Sequence, residues 1–214
     1  TYTLMGNLKR GIGEYPKALD HLLHALEMAT EINDTLLLSR VYNCLSSVYM
    51  LQSPDLFNKA IEYNLKALDL QLKTGDSVGI ARSYSNLGSI YSDPISQSTY
   101  DNDKALYYFK ETLQIAQKRG DKKNAAIMLD NLGFLLHKKG NNGEAEKMVL
   151  QSLLVFEELD MIMNQAISYY RLGMIYEDLG RRNESVENFQ KAIKIARETN
   201  SKDLLNNALE TLGF

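Results

Sequence analysis

Between Ala166 and Glu198 the apolar residues Ile167, Tyr170, Leu172, Ile175, Tyr176 and Leu179 recur every few positions, with polar residues between them. Gly180 interrupts the order, and Val186, Phe189, Ala192, Ile193 and Ala196 resume it. This spacing puts the apolar set on one face of a helix, so the stretch predicts two helices joined by a turn. The same order returns at Leu132-Gly133 with Leu136, Gly140 and Ala145, and at Leu87-Gly88 with Tyr91, Ala105 and Phe109. It returns again at Leu45-Ser46 with Tyr49, Ala60 and Ala67. A degenerate copy starts at Met5-Gly6, followed by Gly13, Ala18, Leu22 and Ala25, and Leu212-Gly213 opens another.

One interval ties the copies together. Ala18 precedes Ser46, Ala60 precedes Gly88, Ala105 precedes Gly133, Ala145 precedes Gly173 and Ser185 precedes Gly213, each by 28 residues. An interval kept while the sequence between drifts means that each hairpin seats on the next in one register, as in a stacked repeat array. Gly173 and Ser185 carry almost no side chain, which predicts a close approach of two helix backbones. A Gly inside a helix costs about 1 kcal/mol relative to Ala, and close packing supplies the reason for it. Gly75-Asp76 and Gly120-Asp121 read as a helix stop followed by an N-cap, with Asn33-Asp34 and Asn200-Ser201 as equivalents. Asp34, Asp76, Asp121 and Ser201 each stand 12 residues before their small residue, whereas Asp160-Met161 departs by one. The expected chain is all-α, with about eleven antiparallel helices: five pairs and the first helix of a sixth.

These residues resemble the tetratricopeptide repeat over essentially the whole chain. The match lies at the Leu-Gly, Tyr and Ala sites; no copy has Trp at the first site or Pro at the last. The period is 40 rather than about 34, as Gly6 to Ser46, Gly133 to Gly173 and Gly173 to Gly213 show. Gly6 to Ala18, Gly133 to Ala145 and Gly173 to Ser185 all span 12, so the extra residues belong to the second helix and the start of the next first helix. Arrays of this length are similar to those of kinesin light chains, LGN-type adaptors and bacterial peptide-sensing and transcriptional regulators. The resemblance implies a right-handed α-α superhelix forming a single solenoid domain over 1–214, with repeats near 1–33, 34–75, 76–120, 121–160 and 161–200 and a partial one at 201–214. It also implies a non-catalytic protein- or peptide-binding function, as the sensor or interaction region of a larger bacterial signalling or transcription-regulatory protein. The alternative is a structural scaffold or homo-oligomerisation module whose ends stack on neighbours. Thr1 in place of an initiator Met, and an end one residue after a Leu-Gly pair, read as a piece of a longer protein.

In such repeats the first helices line a concave groove, and the positions facing it follow from their offset to the Leu-Gly pair. That rule nominates Arg40, Asn43 and Ser47, then Arg82, Asn86 and Ser89. It continues with Asp130, Asn131, Phe134 and His137, and with Tyr170, Arg171, Met174 and Glu177. The resemblance implies that Asn86 and Asn131 hold a peptide backbone through their amides. The guanidinium forks of Arg40, Arg82 and Arg171 suit carboxylates, so the expected ligand carries acidic side chains or a free C-terminus. The charge set of chaperone-tail-binding members is not reproduced. Two insertions fall inside hairpins: Ser46 to Ala60 is longer by two, and Gly88 to Ala105 by five, as the loop from Ser92 to Asp103.

Composition narrows the remaining chemistry. A net charge of -3 and a pI near 5.7 exclude the basic stripe of a nucleic-acid surface. No apolar run of 18 residues offers a membrane span. The compartment stays open, with cytoplasm or periplasm expected for a soluble domain of bacterial type. Cys44 is the single cysteine, so no intramolecular disulfide forms, and it reads as a small core residue. His21 and His24 stand three apart on a second helix without a third ligand, so they read as solvated surface residues and no metal or other cofactor is expected. Asp101-Asn102-Asp103 lacks the Gly and closing Glu of a calcium loop. Tyr49, Tyr91 and Tyr176 fall on repeat positions, which assigns the tyrosines to packing rather than base stacking. No phosphate loop, catalytic carboxylate pair or nucleophile–base arrangement stands out, and an enzyme is not expected.

Overall fold

The structure, a computed structural model, describes residues 2–96 and 98–212, with the side chain of Leu212 set aside. The interval from Ser185 to Gly213 therefore lies outside the described residues. Eleven α-helices are found among them: α1 (Tyr2–Gly11), α2 (Tyr15–Glu31), α3 (Thr35–Gln52), α4 (Phe57–Thr74), α5 (Ser77–Ser92), α6 (Asn102–Lys118), α7 (Lys122–Lys138), α8 (Asn142–Glu158), α9 (Ile162–Asp178), α10 (Arg182–Glu198) and α11 (Lys202–Leu212). None of these is long and apolar enough to cross a membrane.

The five junctions between hairpins repeat one backbone device. Asn33, Gly75, Gly120, Asp160 and Asn200 all take the left-handed conformation, at φ 53°, 70°, 68°, 50° and 55°. The next residue then donates its N–H back to a carbonyl five positions earlier, from Asp34 to Ala29 (3.1 Å) through Ser201 to Ala196 (2.8 Å). This closes the helix end in the manner of a Schellman motif. The side chains of Asp34, Asp76 and Asp121 then cap the following helix. The fourth junction corrects the sequence reading. Asp160 is not displaced from a cap; it occupies the left-handed position, and Met161 holds the N-cap without a side-chain bond. The geometry keeps register there and only the residue types depart.

Both insertions lie inside hairpins, as expected. The first forms a short 3-10 turn at Pro54–Leu56. The second is the segment from Asp93 to Asp101, closed by the Asp101 N–H on the Tyr91 carbonyl (2.8 Å). Asp101 accepts from the N–H groups of Asp103 and Lys104, so it caps α6.

Two compact units divide the chain, Thr1–Ile115 and Ala116–Phe214, with the division inside α6. In the first unit, α1 packs on α2 and α3, and α3 packs on α4 and α5. In the second, α7 packs on α8 and α9, and α10 lies between α9 and α11. First helices thus neighbour first helices within each unit, the arrangement of an all-α helical solenoid.

The small residues are buried where hairpins close: Gly6, Ala18, Ser46, Ala60, Gly88, Ala105, Gly133, Ala145, Gly173 and Ser185. Backbone approach is only part of the reason. A Cβ on Gly173 would meet the Phe189 ring at 2.7 Å, and one on Gly88 would meet Phe109 at 2.5 Å. Leu22 and Val149 lie over Gly6 and Gly133 in the same way, each at 2.6 Å. In every case the covering residue stands four after the small residue of the second helix. The hairpin with Ser46 places Asn64 there, and the Asn64 amide donates to Ser46 Oγ (3.3 Å). Tyr49 stacks on Tyr63 and Tyr91 on Tyr108, at centroid separations of 5.6 and 5.8 Å, while Tyr176 is buried.

Candidate binding groove

Helical phase decides which first-helix side chains can meet. Positions one after, and two and three before, the Leu-Gly small residue lie on the face that neighbouring first helices share.

In the first unit α1, α3 and α5 bring such positions onto one cavity of about 430 Å³. Of the expected residues, Asn43, Ser47, Arg82 and Asn86 line it, joined by Asn7, Arg10 and Cys44. Asn43 is buried, and its Oδ1 accepts from the Ser83 hydroxyl (3.0 Å), so this amide serves the fold. The Ser47 hydroxyl donates to the Asn43 carbonyl (2.9 Å). The Asn86 Nδ2 and Arg10 Nε groups are buried without a hydrogen-bond partner among the described residues. Cys44 is half-buried rather than a core residue; burial pushes its thiol up, while Asn7, Arg10 and Arg82 pull the other way.

In the second unit α7, α9 and α11 line a mainly apolar cavity of about 340 Å³. Phe134, Tyr170, Arg171 and Met174 reach it, with Met163, Ile167 and Leu204 completing the apolar wall. Arg171 is not free for a ligand carboxylate. Its guanidinium pairs with Asp130, approaches Asn131 Oδ1 (3.3 Å) and covers the Phe134 ring at 4.7 Å. Asp130 lies beneath the groove, accepting from Ser168 Oγ (2.8 Å) and Ser152 Oγ (3.4 Å). Burial pushes its carboxyl up, against the pull of Arg171 and both hydroxyls.

The other nominated residues stay outside these two cavities. Arg40 is exposed, Ser89 is half-buried, and Glu177 borders a separate cavity with Arg182 and Phe189. His137 contacts Asn142 Oδ1 (2.9 Å) and lies 3.5 Å from Asp178. Asn7 and Arg10 were legible by the same rule. They stand one and four after Gly6, as Phe134 and His137 stand to Gly133, but the degenerate first copy hid them. His21 and His24 lie near the Tyr2 ring, and no group of three metal-ligating side chains occurs among the described residues.

Comparison with known proteins agrees with this architecture. The family model described as anaphase-promoting complex subunit 5 matches residues 11–139, more than half of the chain, and that described as tetratricopeptide repeat matches 166–199. The chain belongs to the tetratricopeptide-repeat family, and over 11–139 to the family described as anaphase-promoting complex subunit 5. No curated protein sequence matches it significantly. Among solved structures, the tetratricopeptide repeats are similar to BtubC (BKLC) from P. vanneervenii, at 22% identity and a TM-score of 0.76, covering 93% of this chain and 80% of that one. The apo form of RapI has 17% identity and a TM-score of 0.81, covering 99% and 81%. A Rap protein complexed with competence and sporulation factor has 20% identity and a TM-score of 0.68, covering 99% and 62%. At these identities the likeness is one of fold.

Proposed function

We propose that the first helices form a groove that binds a peptide or an extended protein segment without doing chemistry on it. The observation that carries this reading is the convergence of Asn7, Arg10, Cys44, Arg82 and Asn86 from three first helices on one open cavity. Within the second unit, the apolar cavity beside Tyr170 and Met174 suits a large apolar side chain. The similar Rap protein in complex with competence and sporulation factor supports a ligand of this class. The array serves as the sensor or interaction region of a signalling or regulatory protein.

A random peptide library displayed on phage tests the reading. The chain is expected to enrich acidic peptides or peptides with exposed C-termini, and Asn86→Ala with Met174→Ala is expected to abolish enrichment. Lys147→Gln, on the exposed face of α8, is expected to change nothing. Equal enrichment by the groove variant and the Lys147 variant refutes the assignment.

One observation favours a second reading, self-association. Leu4, Leu8 and Ile12 of the first hairpin are 73%, 64% and 61% exposed, an apolar face suited to a second copy. Light scattering decides: a dimer that Leu8→Asp disperses supports it, and a monomer at high concentration removes it.

A further inference from the structure

Asn142 and Gly143 form the chain's one Asn-Gly pair, at the start of α8. That dipeptide has a reaction of its own: the Gly nitrogen can attack the Asn side-chain amide, because no Cβ on the second residue hinders it. In a folded chain a hydrogen bond commonly withholds that nitrogen. Asn33 and Asn200 show this, since the N–H groups that follow them are donated to the Ala29 and Ala196 carbonyls (3.1 and 2.8 Å). Gly143 is placed differently. It lies in the first turn of α8, where N–H groups precede the helical ladder, and the bond onto the N-cap carbonyl of Asn141 comes from Ala145 (3.1 Å). The Asn141 side chain does not cap the turn, donating instead to Glu144 (2.8 Å). Gly143 is exposed, and a Cβ there would meet nothing within 4 Å, so the space for ring closure is open.

The amide under attack is also activated. His137 Nδ1 lies 2.9 Å from Asn142 Oδ1 and 3.5 Å from Asp178 Oδ2. Two oxygens face that nitrogen, so it carries the proton and donates to the amide carbonyl. Attack at Cγ turns Oδ1 into an oxyanion, and His137 Nδ1–H is already aimed at it. Closure needs Asn142 to leave the helical conformation, and the first residue of a helix frays at little cost.

We propose that Asn142 is a self-modification site, where the side-chain amide becomes a carboxylate through a cyclic imide with Gly143 and His137 supports the oxyanion. The Gly143 nitrogen loses its proton to solvent and bonds to Cγ; the Cγ–Nδ2 bond breaks, and ammonia leaves with a proton from solvent. Water then opens the imide. Opening at Cγ restores the backbone and leaves aspartate, whereas opening at the main-chain carbonyl carbon leaves isoaspartate. The folded chain favours aspartate, whose carboxylate accepts from His137 and faces the positive end of α8. The outcome is a slow, one-way gain of negative charge where α7, α8 and α9 meet. It needs no ligand and stands or falls apart from the groove.

Ageing of the full chain at mildly alkaline pH, followed by peptide mass spectrometry with electron-transfer fragmentation, tests this. Asn142 should convert before every other asparagine, and mainly to aspartate. Gly143→Ala should slow conversion at least about tenfold. His137→Phe, which keeps a ring without a donor, should slow it by about tenfold, less than the roughly 10²–10³ of an enclosed oxyanion donor. In urea His137→Phe should convert at the parent rate, because the effect depends on folded geometry. Asn142→Asp, the product form, should melt no lower than the parent. Conversion of Asn33 or Asn200 ahead of Asn142, an unchanged rate in Gly143→Ala, or equal folded-state rates for the parent and His137→Phe overturns the proposal. Should His137→Phe fail to fold, the parent alone decides. A shift from aspartate in the folded chain towards isoaspartate in urea supports the site, and one product mixture under both conditions overturns it.

Discussion

Ser168 donates its hydroxyl to Asp130 across 2.8 Å, and this bond repeats one made elsewhere in the chain. Ser83 Oγ lies 3.0 Å from Asn43 Oδ1 at the same pair of positions, five before one small residue and three before the preceding one, and shares its single proton with Gln71 Oε1 (2.7 Å). Neighbouring first helices are thus held in register by a buried polar contact as well as by apolar packing. Where the acceptor is Asp130 rather than Asn43, Arg171 supplies the compensating charge.

Removing that acceptor exposes the dependence. Asp130→Ala leaves Arg171 half-buried and unpaired, and urea unfolding should show a loss of roughly 3–5 kcal/mol. Asp130→Asn, which copies the other pair, should cost less, and Ser168→Ala should cost about 1 kcal/mol.

The glycine positions are filled by a specific side chain, and a double-mutant cycle measures this. Gly173→Ser alone overpacks against Phe189 and should cost about 1–3 kcal/mol. Gly173→Ser with Phe189→Asn recreates the Ser46–Asn64 pair. The double variant should be more stable than the sum of its singles by at least about 1 kcal/mol. Additivity contradicts the pairing.

Met161 occupies an N-cap without a side-chain acceptor, while Asp34, Asp76 and Asp121 fill the equivalent place. Met161→Asp should therefore stabilise the chain by about 1 kcal/mol, read as a raised melting temperature.

The Cys44 thiol is pushed above its ordinary value by burial and drawn down by Asn7, Arg10 and Arg82. Iodoacetamide labelling should therefore reach half its maximal rate above the ordinary thiol range, and at still higher pH in Arg10→Gln/Arg82→Gln. Because the folded state holds this proton longer than the unfolded state does, its contribution to stability is complete below the unfolded pKa. It is lost as pH rises through the folded one.

The 28-residue interval, the helix count and the hairpin turns were legible because they depend on short-range spacing and on backbone conformations that few residues accept. Asp160 misled because an Asp fits both an N-cap and a left-handed position, and only the φ of 50° separates these. Arg171 read as a ligand-binding fork because its partner, Asp130, is 41 residues away. Offsets within a helix say which residues share a face, but the stagger between neighbouring hairpins decides which of them touch. Phe189 over Gly173 and Ser168 on Asp130 are contacts of that kind.

Hydrogen exchange of the chain with and without its most enriched library peptide tests the central claim most directly. The groove account expects added protection at first-helix positions, Asn43 to Ser47 of α3 and Arg82 to Ser89 of α5, with α4 and α8 unchanged. Protection confined to α4 and α8, or the absence of any enriched peptide, contradicts it.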